Sequence, residues 1–157
     1  MAFVSMVSSL RKERESMPLP LASEAISAGF PSPADDYLDV GIDLNEQLIK
    51  NPTSTFFLKV SGSSMSNAGI HDGDLLIVDR SLDPKPGLIV VIILDGSFTL
   101  KILKLNHGKL YLEAAHPNYP SLDISKYKSI QIWGVAIHSI HSLTQRQNNY
   151  DQNHITG

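Results

Sequence analysis

Two residues of this 157-residue chain stand where they could share one reaction, Ser64 and Lys101, 37 positions apart. Ser64 lies in Val60-Ser61-Gly62-Ser63-Ser64-Met65, where a strand-forming run enters a turn of small residues. Such a turn lets a substrate backbone approach closely and can present N–H groups. A serine hydroxyl is a weak nucleophile at neutral pH and needs a base. Ser-Gly-Ser-Ser is equally the composition of an ordinary turn, so the base decides the reading.

Lys101 sits in Phe98-Thr99-Leu100-Lys101-Ile102-Leu103. The two-residue period of a strand puts Phe98, Leu100 and Ile102 on one face and Thr99, Lys101 and Leu103 on the other. A lysine within an apolar strand either extends its ammonium from an edge into water or is buried. Burial lowers its pKa, by up to ~3–5 units when complete, and a neutral amine can take a serine proton, as in serine–lysine variants of the catalytic triad. Six histidines (His71, His107, His116, His138, His141, His154) allow a Ser-His-Asp triad to be drawn, but no spacing selects one. His138 and His141 lack further ligands at metal-binding spacing, so no metal and no cofactor is expected. The chain has no cysteine. That excludes a thiolate nucleophile and a disulfide framework, and it fits a reducing cytoplasm.

The elements that must position this pair are mostly strands. Phe56–Val60, Leu75–Val78, Leu88–Leu94, Ser97–Leu105, Lys109–Ala114 and Ile130–Ile140 are β-rich runs separated by turn residues. Leu88–Leu94 is apolar on both faces and therefore predicted to be central. Asp95-Gly96 is a hairpin signal joining it to the lysine strand, and Asn106-His107-Gly108 marks the next turn. Before these strands, Tyr37–Lys50 carries an approximate helical stripe with Asp39 or Asp43 available as a cap. Residues 1–36 differ. Ser9–Arg14 has the charge density of a short helix, but Met17-Pro18-Leu19-Pro20 and Gly29-Phe30-Pro31-Ser32-Pro33 block helix interiors and central strands. This stretch is expected to be an extended, flexible arm open to proteolysis. The division is thus an arm over 1–36, a compact domain over 37–143, and a polar, disordered tail over 144–157.

Bulk properties narrow the partners. Net charge is −3 with no basic stripe, which argues against direct sequence-specific DNA binding. The longest apolar run, Leu88–Leu94, has seven residues, far short of the ~20 that span a bilayer, and residues 1–10 do not read as a secretory signal.

The serine turn, followed by Gly69-Ile70-His71-Asp72-Gly73-Asp74-Leu75-Leu76-Ile77-Val78-Asp79, resembles the nucleophile region of the LexA/UmuD family of self-cleaving serine peptidases. Phe98-Thr99-Leu100-Lys101 resembles that family's lysine strand, and Trp133-Gly134-Val135-Ala136-Ile137-His138 its closing strand. The likeness runs over about residues 25–143, and Gly73–Asp79 is its most specific part. It implies a mostly β, compact peptidase fold of short strands with an extended N-terminal arm. It implies Ser64 as nucleophile, Lys101 as general base, and the backbone N–H groups of Ser64 and Met65, or the Gly62–Ser63 side of the turn, as oxyanion donors. The family cleaves its own arm at an Ala-Gly or Cys-Gly bond, and Ala28-Gly29 stands in the arm here, 35 residues before Ser64 counted from Gly29. One departure is Ser63, where the family usually carries an Asp or Asn-type residue; this makes Ser63 a rival nucleophile.

Only 28 residues precede Gly29, which is expected to be too short for a helix-turn-helix domain. The likeness is therefore to the UmuD branch rather than to LexA. That branch implies a homodimer, cleavage stimulated by a RecA filament in the SOS response, and a processed form that joins a UmuC-type Y-family polymerase in translesion synthesis. Two other readings stay open: a catalytically silent module that docks onto the polymerase or RecA, and a repressor-type regulator whose DNA-binding part is elsewhere.

Overall fold

A computed structural model describes residues 2–9, 18–19, 42–127 and 129–144. The chain divides into two units, one from Met1–Leu10 with Thr53–Gly157 and the other from Arg11–Pro52.

The first unit is built on one antiparallel sheet of eight strands. In chain order these are β1 (Phe3–Ser9), β4 (Thr55–Ser61), β5 (Leu75–Asp79), β6 (Ile89–Leu94), β7 (Ser97–Asn106), β8 (Lys109–Glu113), β9 (Leu122–Asp123) and β10 (Gln131–Ile140). Their spatial order is β1-β4-β5-β10-β6-β7-β8-β9. Phe3 also pairs with Thr99 of β7, which bends six of these strands into a barrel-like ring. The chain is mostly β, as its pattern of short β-rich runs predicts. β6 lies between β10 and β7, and its Val90, Val91 and Ile92 are fully buried. A strand covered on both faces and both edges needs apolar side chains at every position, which is why that run does not alternate.

Turn chemistry sets the register of the lysine strand. Asp95 and Gly96 both take positive φ, 50° and 79°, the combination that matches a two-residue loop to the twist of its strands. Leu94 then faces Ser97, and Val90 faces Lys101. His107 and Gly108 repeat the device at φ 49° and 76°, pairing Asn106 with Lys109.

The two faces of β7 enter different clusters. Leu100 joins Leu58, Val60, Met65, Leu76, Val91 and Trp133, with Phe98 and Ile102 packed against them. Leu103 joins Val90, Ile92, Leu112 and Val135. Trp133 lies between Phe56 and Phe98, with ring centroids 5.3 and 5.0 Å away. The Arg80 guanidinium sits 4.6 Å above the indole, and its Nε–H donates to the Trp133 carbonyl at 2.9 Å.

Beside that tryptophan, β10 has no room for a side chain at Gly134. A Cβ there would lie 2.6 Å from Val78 Cγ1 and 3.3 Å from Arg80 Cγ. Gly134→Ala is expected to cost about 1–2 kcal/mol by overpacking, read as a lower urea midpoint at unchanged slope.

Phe3–Ser9, inside the stretch expected to be an arm, pairs with β4 from Phe3↔Ser61 to Ser9↔Phe56. Ser9 closes that strand, and the rest of the helix expected over Ser9–Arg14 lies outside the described residues. In the second unit, β2 (Pro18–Leu19) pairs with β3 (Ile42–Asp43), and α1 runs Leu44–Leu48. The helix expected over Tyr37–Lys50 is thus shorter at its described start. Asp43 is extended, at φ −92° and ψ 114°, and its carboxylate accepts the Asn45 N–H, so the cap fixes where the helix begins. The tail beyond Thr144 is outside the described residues.

Candidate active site

The turn that carries Ser64 is pinned at both ends. Val60 N–H donates to the Asp74 carbonyl at 2.9 Å, and Gly73 N–H returns to the Val60 carbonyl at 2.8 Å. Gly62, at φ 98°, donates its N–H to Asp72 Oδ1 at 2.9 Å. Inside this neck the chain makes a single 3-10 turn, Ser66–Ala68, ended by Gly69 in the left-handed region. Met65 is fully buried, and its carbonyl accepts from Ala68 and Ile70. The buried Met65 thereby anchors the backbone next to Ser64.

Ser63 and Ser64 point to different surroundings. Ser63 is exposed, and its carbonyl closes the turn by accepting from Ser66 N–H. Ser64 is fully buried, and its Oγ accepts the N–H of Ala2 at 2.5 Å. Among the described residues no acceptor takes the backbone N–H of Ser64 or Met65. Donors left open beside a serine hydroxyl are the arrangement an oxyanion needs.

Lys101 is 1 % exposed. It is therefore a buried lysine and not one that snorkels from an edge. Burial lowers its pKa from the ordinary value of 10.5. Among the described residues no carboxylate pairs with it, so nothing there holds the ammonium form. Two positions earlier, Thr99 Oγ1 donates to the Ala2 carbonyl at 2.6 Å, and Leu100 N–H donates to the same oxygen at 3.2 Å. Ala2 is thus bonded on its amide side to Ser64 and on its carbonyl side to the residues just before Lys101. One residue separates the Ser64 turn from the Lys101 strand.

The described histidines make no hydrogen bond to Ser64 or Lys101. His71 and His141 stack at 4.8 Å between ring centroids. Asp74, 1 % exposed, accepts from the His71 N–H at 2.8 Å, Ser139 Oγ at 3.0 Å and His141 Nδ1 at 2.5 Å. Burial works to raise the Asp74 pKa, but these hydrogen bonds and the His141 charge outweigh it, and the net shift is downward. Among the described residues no group of three metal-ligating side chains has the geometry of a metal site. His154, Ala28 and Gly29 lie outside the described residues.

The sequence reading missed two participants, Ala2 and Thr99. Thr99 had a signal, since strand alternation placed it on the Lys101 face. Ala2 had none, because nothing in a residue at the start of a proline-rich stretch points to a partner 62 positions away.

The chain is similar to several known proteins. The chain is 43% identical over 123 residues to protein MucA of Salmonella typhimurium, covering 78% of this chain and 84% of that one. Protein ImpA of Shigella flexneri is 44% identical over 122 residues, 78% of this chain and 83% of its own. The LexA repressor of Halorhodospira halophila is 37% identical over 100 residues, 64% of this chain but 44% of the repressor. Residues 20–137 match the family described as Peptidase S24-like, a span that contains both Ser64 and Lys101. The chain belongs to the Peptidase S24-like family.

Proposed function

We propose that this protein is a self-cleaving serine endopeptidase in which Ser64 is the nucleophile and Lys101 the general base. The observation that carries it is a fully buried lysine with no counter-charge among the described residues, on the strand that shares Ala2 with a buried serine. Desolvation favours the neutral amine, and that amine can accept the Ser64 proton. Ser64 Oγ then attacks the carbonyl carbon of Ala28. The resulting oxyanion is held by the N–H groups of Ser64 and Met65. Lys101 returns the proton to the Gly29 nitrogen as the Ala28–Gly29 bond breaks, and water hydrolyses the acyl-enzyme. The exposure of Ser63 supports Ser64 as the nucleophile of the two.

The family likeness extends the reading to biology. Removal of residues 1–28 from a homodimer, stimulated by a RecA filament in the SOS response, yields a subunit for a UmuC-type Y-family polymerase in translesion synthesis. Net charge −3 supports a role that reaches DNA through proteins. Among the described residues no helix is long and apolar enough to cross a membrane.

The test is intact mass after incubation at alkaline pH, and separately with RecA assembled on single-stranded DNA. Loss of residues 1–28 is the expected result, abolished in Ser64→Ala and retained in Ser63→Ala. A chain that stays intact under both conditions yet binds the polymerase or the filament is a silent docking module instead. Operator binding without any partner marks a repressor-type regulator.

A further inference from the structure

The slot between the serine turn and the lysine strand already holds a segment of this chain. Ala2 is fully buried, and its side chain packs in the cluster of Val60, Met65 and Leu100. Its backbone is bonded on both sides, to Ser64 Oγ through the N–H and to Thr99 Oγ1 and Leu100 N–H through the carbonyl. From there the segment runs on as β1 along the edge of β4. This is how a sheet takes in an extended peptide: main-chain bonds give affinity and a pocket for alternate side chains gives selectivity. Here Ala2 and Val4 point into the core, while Phe3 and Ser5 are exposed.

The polarity of the contact matters for chemistry. What faces Ser64 Oγ is an amide donor, so the hydroxyl acts as acceptor and not as attacker. The Ala2 carbonyl, the group a nucleophile would need, is turned toward β7 and held there by two donors. The segment therefore lies where a substrate strand would lie without presenting its carbonyl to Ser64.

We infer that the cleft between β4 and β7 is a strand-addition site for an extended peptide with a small residue at Ser64, and that residues 2–9 occupy it as a substrate-like inhibitor. Ala2 is fully buried, which restricts that position to small residues. The outward positions are free to vary. Ala28-Gly29 meets the same requirement, so the two segments exclude one another, and β1 must leave before the bond can be cut. This regulatory half rests on the self-cleavage reading; the binding site itself does not.

The experiment uses the full chain and two variants. Ala2→Arg places a long charged side chain where none fits. Ser5→Pro breaks the β1–β4 ladder from an exposed position opposite Lys59 and leaves the core untouched. Hydrogen–deuterium exchange is expected to speed up at least about tenfold for the amides of residues 3–9 and the facing edge of β4 in both variants. β6 and β10 should keep their protection. Cleavage at Ala28–Gly29 at alkaline pH is expected to be several-fold faster than in the wild-type chain. Unchanged exchange in residues 3–9 of both variants overturns the site. Faster exchange with unchanged or slower cleavage overturns the inhibitor. Faster exchange with no cleavage in any chain, wild type included, supports the strand-addition site and refutes the peptidase reading.

Discussion

Lys101→Met is expected to reduce cleavage at Ala28–Gly29 by about 10²–10⁴-fold, the usual contribution of a positioned general base, while the protein stays folded. Methionine has nearly the length and shape of lysine and no amine to desolvate. The reason lies in the burial of Lys101, which leaves its amine neutral at a lower pH than an ordinary lysine. The wild-type rate should therefore climb with pH as the neutral fraction grows and level off below the ordinary value of 10.5. The stability consequence has a definite sign. Between the lowered folded pKa and the ordinary unfolded one, the unfolded chain binds more protons, so wild-type stability rises with pH through that window. Lys101→Met removes that slope and should be at least as stable as wild type at neutral pH. Intact-mass time courses from neutral to alkaline pH, with thermal melts of both proteins, check all three points. Equal rates in wild type and Lys101→Met would sink the assignment of the base.

The second large effect is structural. Asp74→Ala is expected to cost about 2–4 kcal/mol, because it strips three hydrogen-bond donors of their acceptor at a buried position. The His141 ring is 26 % exposed, so solvent screens the charged part of the contact and most of the loss comes from the hydrogen bonds. The pH dependence follows from the lowered folded pKa. Stability from this group is fully present above the unfolded carboxylate value of ~3.9 and is lost as pH falls through the lower folded value. The gap between wild type and Asp74→Ala should thus be widest near neutrality and narrower in strong acid. Urea melts across that range measure it. Because the Asp74 carbonyl also holds Val60 N–H, a secondary slowing of cleavage is expected through the loosened serine turn. A constant gap at every pH would mean that the carboxylate charge contributes nothing.

Much of the sheet was legible because its signals are local. Leu88–Leu94 announces a covered strand by composition, and Asp95-Gly96 fixes both the turn and the register that sets Lys101 opposite Val90. Other features depend on what the chain meets far away. Ala2, Phe3, Val4 and Ser5 alternate inside and outside, but the larger apolar residue, Phe3, is the exposed one at 46 %. Hydropathy alone therefore gives the wrong face or none. Leu122–Asp123 is too short to carry a strand pattern and exists through its pairing with Tyr111 and Leu112. At the site, Lys101 was identifiable as an odd residue in its strand, but whether it was an edge or a buried lysine depends on the neighbours that cover it. Asp74 was visible only as part of a familiar block; its grip on His71, Ser139 and His141 joins segments up to 67 residues apart.

The closing of the ring at Ala2 and Phe3 also orders the assembly of the molecule in time. The partners of this segment, Ser61 and Thr99, lie 58 and 97 residues downstream. Synthesised from the N-terminus, the segment emerges before its partners and has nothing to pair with until two later hairpins exist. Closing so long a loop costs entropy that only the finished sheet can offset. The earliest-made strand of the ring is thus the last one fastened, and its release leaves the ladder β4-β5-β10-β6-β7 unbroken.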